Sequence, residues 1–290
     1  MSSRAEPITV DVSEEPGGVI AICWAAREAA RRHSPLRLVF AQAGWRMSPS
    51  AASTYAGVGR PTGPVAEPAV DLAFQLVAAL EPTVDVSAYV RPVSPVQLLL
   101  NQSRRAGMVV LANPGGGVLD DMLGGTVCGT LATHASCPVI AVNGRPAWPD
   151  APVVVGITEP ETDLQAIEFG FDVADRWGVS LTLHQVGNDL RQQRQVCEAV
   201  VRFARDRIAR AGRCADVEVS WQVSVGDPVT ALSDAAAAAQ LLVMAAPAHG
   251  PAMSLVTGSI THTLLRTPPC PIAVIPPNWP PPMPPTDGRR

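Results

Sequence analysis

The feature that most limits what this 290-residue chain can fold into is an internal duplication. Residues 137–142 read CPVIAV and residues 270–274 read CPIAV, 133 positions apart. The same offset links Ser94-Pro95 with Asp227-Pro228, Ala112 with Ala245, Gly115 with Ala248, and Gly125-Thr126 with Gly258-Ser259. One period across so many landmarks means two copies of one structural unit. Nearer the start the offset lengthens to 145, where Ser13 in ITVDVSEEPGGVIAICWAA matches Thr158 in VVVGITEPETDLQAIEFGF, so the first copy is twelve residues longer. The excess falls at residues 46–68, RMSPSAASTYAGVGRPTGPVAEP, a Pro/Gly/Ser-rich stretch expected to be a long surface loop. The expected divisions are residues 1–145, residues 150–276 and a Pro-rich, extended tail over 277–290, with a linker around 144–152.

Within each copy, short apolar runs alternate with runs of helical period. Strands are expected at 7–13, 36–42, 84–91, 107–112 and 138–142, and again at 151–158, 179–186, 216–225, 240–245 and 271–275. Helices are expected at 18–33, 94–105 and 125–135, and at 162–177, 228–239 and 258–267. Pro95 and Pro228 fall in the first turn of a helix, where a missing N–H is harmless. Strand and helix alternating over short connections predict an α/β fold, a doubly wound parallel sheet covered by helices on both faces, once per copy.

Composition then removes function classes. With 47% hydrophobic and 17% charged residues there is apolar surface enough for a core, so a disordered chain is excluded. All 22 basic residues are Arg, which excludes Schiff-base chemistry and a P-loop lysine. A formal net charge of -4 and no basic arm argue against nucleic acid as a partner. No apolar run approaches the ~18 residues of a membrane span, so no membrane partner is expected. The six cysteines show no C-x-x-C spacing and the start lacks a signal peptide, which predicts reduced thiols and a cytoplasmic protein. Each Cys reads as a small buried hydrophobe.

Ligands of open parallel sheets sit beyond the carboxyl ends of the strands, where the strand order reverses. The segment after the fourth strand reads Ala112-Asn113-Pro114-Gly115-Gly116-Gly117 in the first copy and Ala245-Ala246-Pro247-Ala248-His249-Gly250 in the second. Both lead to a Gly-hydroxyl pair opening a helix, Gly125-Thr126 and Gly258-Ser259. Two readings stand at this point: small residues and a helix start that cradle phosphate oxygens, or ordinary turn glycines with N-cap hydroxyls. His262 follows Ser259 by one helical turn but has no orienting carboxylate, and His134 and His249 have no metal-site spacing, so all three read as surface residues. Asp120 and Asp121 lie in the loop before Gly125 and read as solvated acids. The Arg series of Arg191, Arg194, Arg202, Arg205, Arg207, Arg210 and Arg213, interleaved with Val196, Val200, Phe203 and Ile208, predicts an amphipathic helix with a solvated charged face.

These residues resemble the universal stress protein family, and the chain resembles two such domains in tandem. The likeness rests on the first strand and its aromatic helix, the Asp/Ser-Pro helix start and the closing C-P-hydrophobic strand, and covers nearly all but residues 46–68 and the tail. It implies the Rossmann-like, adenine nucleotide alpha hydrolase-like fold in both copies. Members of the family that hold ATP use a G-x2-G-x9-G-[ST] loop and an Asp ending the first strand. Here the loop positions are Ala112, Gly115, Gly125 and Thr126, and Ala245, Ala248, Gly258 and Ser259, with spacing intact. The adenine Asp falls at Ser13 and Thr158, and Asp11, two residues earlier on the same side of the strand, is a substitute in the first copy. The resemblance therefore implies a non-catalytic stress-response regulator with weak ATP binding, mainly in the first domain. It also implies an intramolecular pseudo-dimer through the last strands, a homodimer as a further assembly, and an unidentified protein partner. Two alternatives remain from the residues: a weak ATP hydrolase using Asp120, Asp121 or His262, and a scaffold that takes no nucleotide and so needs no cofactor.

Overall fold

The computed structural model describes residues 6–13, 16–41, 66–113, 127–143, 150–157, 163–186, 198, 202, 217–246, 257–277 and 279. Two compact units divide the chain, one of Met1–Arg145 with Leu265–Thr267, the other of Pro146–Leu264 with Pro268–Arg290.

The first unit runs β1 (Ile8–Asp11), α1 (Pro16–Arg32), β2 (Leu36–Ala41), α2 (Ala66–Leu80), β3 (Val86–Arg91), α3 (Pro95–Ser103), β4 (Met108–Ala112), α4 (Val127–His134) and β5 (Val139–Val142). Its strands pair in the order β3-β2-β1-β4-β5, all parallel. The second unit runs β6 (Val153–Ile157), α5 (Leu164–Trp177), β7 (Leu181–Val186), β8 (Val219–Ser224), α6 (Pro228–Ala237), β9 (Leu241–Ala245), α7 (Thr257–Arg266) and β10 (Ile272–Ile275). Its order, β8-β7-β6-β9-β10, is the same topology again. In each unit the order reverses between the first strand and the fourth, at β1/β4 and β6/β9, where helices leave for opposite faces and open a crevice.

The sequence explains the layering. Met108–Leu111 and Leu241–Met244 are buried along their whole length, as strands with helices on both faces must be. The edge strand β8, VSWQVS, alternates instead. At the start of α3, Ser94 Oγ accepts from Gln97 N at 3.3 Å, and at α6 Asp227 accepts from Thr230 N at 2.8 Å, with Pro95 and Pro228 following their caps. Asp227 is held below the usual carboxylate range by the Thr230 backbone and hydroxyl bonds. Gly178 ends α5 at φ 68°, a left-handed cap that glycine takes without strain.

The parallel α/β architecture agrees with expectation, and each expected strand and helix among the described residues is present with its ends displaced by at most three positions. One helix departs from it. Helix α2 begins at Ala66, inside the stretch read as a loop, and buries Val70, Ala73 and Val77 at helical spacing. Its Pro68 lies in the first turn, where a backbone N–H has no partner to lose. The rest of 46–65 and the Arg-rich segment, apart from 198 and 202, lie outside the described residues. The tail also differs near its root: Trp279 N donates to Pro276 O at 3.2 Å, and the indole packs edge-on to Phe169 of α5 with centroids 5.7 Å apart.

Candidate functional site

Ser13 stands two residues beyond the last residue of β1, and Ala112 is the last residue of β4, so the two expected positions flank the crevice of the first unit. The first turn of α1 is pressed into the same place. A Cβ added at Gly17 would lie 3.1 Å from the Ala112 Cβ, and one added at Gly18 would run into the Ser13 carbonyl and stand 3.2 Å from its Oγ. Gly18 of PGGV is thus demanded by close approach and Gly17 favoured by it, and they bring the helix's amide end against both strand ends. Cys128, in the first turn of α4, is buried with its Sγ 3.8 Å from the Ala112 carbonyl oxygen.

This geometry bears on the departure at the loop's first position. Among the described residues His33 is the one non-glycine with positive φ, so Ala112 and Ala245 both have conformations that alanine adopts freely. At Ala112 the methyl faces Gly17 of α1. Gly115, Gly125, Thr126, Thr158, Ala248, Asp120, Asp121 and His249 lie outside the described residues. Gly258 and Ser259 lie in the first turn of α7, with side chains outside the described set, and His262 on the same helix is exposed. His134 ends α4 with Nδ1 3.1 Å from Thr130 O, away from any acid in that contact. Among the described residues no three His, Cys, Asp or Glu form a group able to hold a metal ion, and no helix is long and apolar enough to cross a membrane.

The register adds residues that the sequence reading passed over. Asp11 pairs with Val39 and Val39 with Tyr89, while Ala41 pairs with Arg91. Side chains two apart on a strand share a face, so Ser13, Ala41 and Arg91 form the terminal row above Asp11, Val39 and Tyr89. The Arg91 guanidinium lies over the Tyr89 ring, 4.0 Å from its centroid, and Nη1 donates to Val90 O at 3.0 Å. The duplicated positions of the second unit carry different chemistry. Gly156 pairs with His184 and His184 with Gln222, and Val186 with Ser224. His184 Nε2 and Ser224 Oγ are 2.9 Å apart, and Nδ1 is buried with no hydrogen-bond partner among the described residues. Burial holds the His184 pKa below its ordinary value against a raising bond from Gln222, so the ring is neutral near pH 7. One row therefore ends in a cation and the other in a neutral hydroxyl-imidazole pair. The duplication offset was the signal for these residues, and pairing across strands was the missing part.

A family model described as the universal stress protein family matches residues 6–143 and 151–276. A universal stress protein of Mycobacterium tuberculosis is 30% identical over 272 residues, covering 88% of this chain and 91% of that protein. One of Mycolicibacterium smegmatis is 30% identical over 288 residues, covering 93% and 97%. Among solved structures, a universal stress protein from Archaeoglobus fulgidus superposes with a TM-score of 0.64 at 14% identity, over 94% of this chain and 97% of that one.

Proposed function

The chain belongs to the universal stress protein family, matched once in each half, and we propose that it is a non-catalytic stress-response regulator that responds to ATP bound weakly in its first domain. The two domains proposed are residues 1–145 and 150–276, and the place of work is the cytoplasm. The observation that carries the reading is the methyl of Ala112. Because its backbone has no positive φ and its methyl faces Gly17, the alanine departure in the first loop does not strain the chain. Ser13 in place of a carboxylate leaves a base donor unpaired, a loss of about 1–3 kcal/mol, or roughly tenfold to hundredfold in affinity. Binding is therefore weak, which suits a sensor of nucleotide level.

The test is to purify the chain without added nucleotide, denature it, identify any released small molecule by chromatography, and titrate ATP into the emptied protein. Adenine nucleotide reduced by Gly125→Trp and kept by Gly258→Trp supports a working first site. Protein that emerges empty and ignores millimolar ATP sinks the reading, leaving a scaffold that acts through its surfaces. Turnover of ATP by purified protein would sink the non-catalytic part alone.

A further inference from the structure

We propose that Arg91 is the base-stacking residue of the first domain: its guanidinium, set over the Tyr89 ring, is a platform on which the purine ring of the nucleotide stacks, in place of the carboxylate absent at Ser13. The inference rests on the nucleotide reading above. Arg91 is the last residue of β3, and Ala41 separates it from the continuation of β1 that carries Ser13. Two strand spacings put it roughly 10 Å from Ser13 across the sheet, with the Ala41 methyl between them among the described residues. Val39, the residue below Ala41 on the same face, is fully buried. The terminal row is thus a shallow step whose floor is Ala41 and whose wall is the Arg91–Tyr89 pair.

The orientation of the wall is fixed from two sides. The guanidinium carbon lies 4.0 Å from the Tyr89 ring centroid, and Val90 O accepts from Nη1 at 3.0 Å. Stacking on a planar, weakly hydrated cation needs no particular hydrogen-bond pattern on the ring, so it replaces affinity that a lost carboxylate would have given while relaxing the choice of base. Among the described residues the second domain has no such wall, since the matching position is Ser224, bonded to the neutral His184. Base stacking is accordingly a property of the first domain alone.

Full-length protein carrying Arg91→Ala or Arg91→Lys is titrated with ATP, with GTP and with inorganic tripolyphosphate. Both variants weaken ATP and GTP by about tenfold, because lysine keeps the charge and loses the plane. Tripolyphosphate affinity and melting temperature stay at the wild-type values. Wild-type affinity for ATP in Arg91→Lys overturns the stacking assignment, and so does a tripolyphosphate loss equal to the ATP loss, which would make Arg91 a phosphate contact. If wild-type protein takes no ATP, the nucleotide reading and this one fall together. ATP binding lost in Gly125→Trp but intact in Arg91→Ala overturns this inference alone.

Discussion

Replacing Trp279 with alanine tests whether the root of the Pro-rich tail belongs to the second unit. The indole is 8% exposed and stands 5.7 Å from the Phe169 ring at an interplanar angle of 71°, an edge-to-face pair. An aromatic of this size buries about 150–250 Å², worth about 4–6 kcal/mol at about 25 cal/mol per Å². Compaction of the unfolded chain removes about a third of that, and ordering the side chain and the turn from Pro276 removes about 1–2 kcal/mol more. The net loss is about 1–3 kcal/mol, which at about 2 kcal/mol per M shifts a urea midpoint by about 0.5–1.5 M. The assay is urea unfolding followed by far-ultraviolet circular dichroism, together with hydrogen exchange read on a peptide spanning Leu164–Trp177. Because two units need not unfold together, the exchange data assign the shift to the second unit. A double cycle with Phe169→Ala should return a coupling of about 0.5–1.5 kcal/mol. A midpoint moved by less than about 0.3 M, with exchange in α5 unchanged, would refute the docking and return the tail root to an extended segment.

The other expectations follow from buried titratable groups. His184 is held neutral by burial, so the unfolded chain binds the proton more readily; stability of the second unit is full above the ordinary histidine pKa of about 6.5 and falls as the pH drops through and below it. The slope attributable to this group is at most about 1.4 kcal/mol per pH unit, and unfolding midpoints at pH 7.5 and 5.0 should converge in His184→Gln. The Cys270 thiol is pushed up to about 12 by burial, and that of Cys137 higher still by burial and by Glu6. Native protein at pH 8 should therefore alkylate at the half-buried Cys23 and spare both, with mass spectrometry of digested peptides as the readout; rapid labelling of Cys270 would contradict its burial.

The strands and most helices were legible because their patterns are strong: β-branched runs for the inner strands, and Ser94-Pro95 and Asp227-Pro228 at two helix starts. Helix α2 was not legible because the Pro/Gly-rich residues before Ala66 carry loop signals that mask the helical spacing of Val70, Ala73 and Val77. Trp279 was lost in the same way to a tail whose proline content argued for extension. The duplication offset paired Ser13 with Thr158 and Ala112 with Ala245, and the family resemblance made them candidate nucleotide positions. Gly17 and Gly18 could be seen in the sequence only as a pattern, because a close approach is a property of two segments. Arg91 was out of reach for a further reason: its row is set by the order β3-β2-β1, and period-two alternation along one strand says nothing of which residues stand beside it.

The Ala112–Gly17 contact makes two distant positions share a single allowance of volume. The space that would receive a side chain on α1 is already occupied by the methyl at the end of β4. Bulk at either position crowds the other, which must give by a few tenths of an ångström, so their substitutions are coupled even though 95 residues separate them. A glycine restored at 112 would make residue 17 permissive, and a scan that changes one position at a time would record each as a local preference and miss the exchange between them.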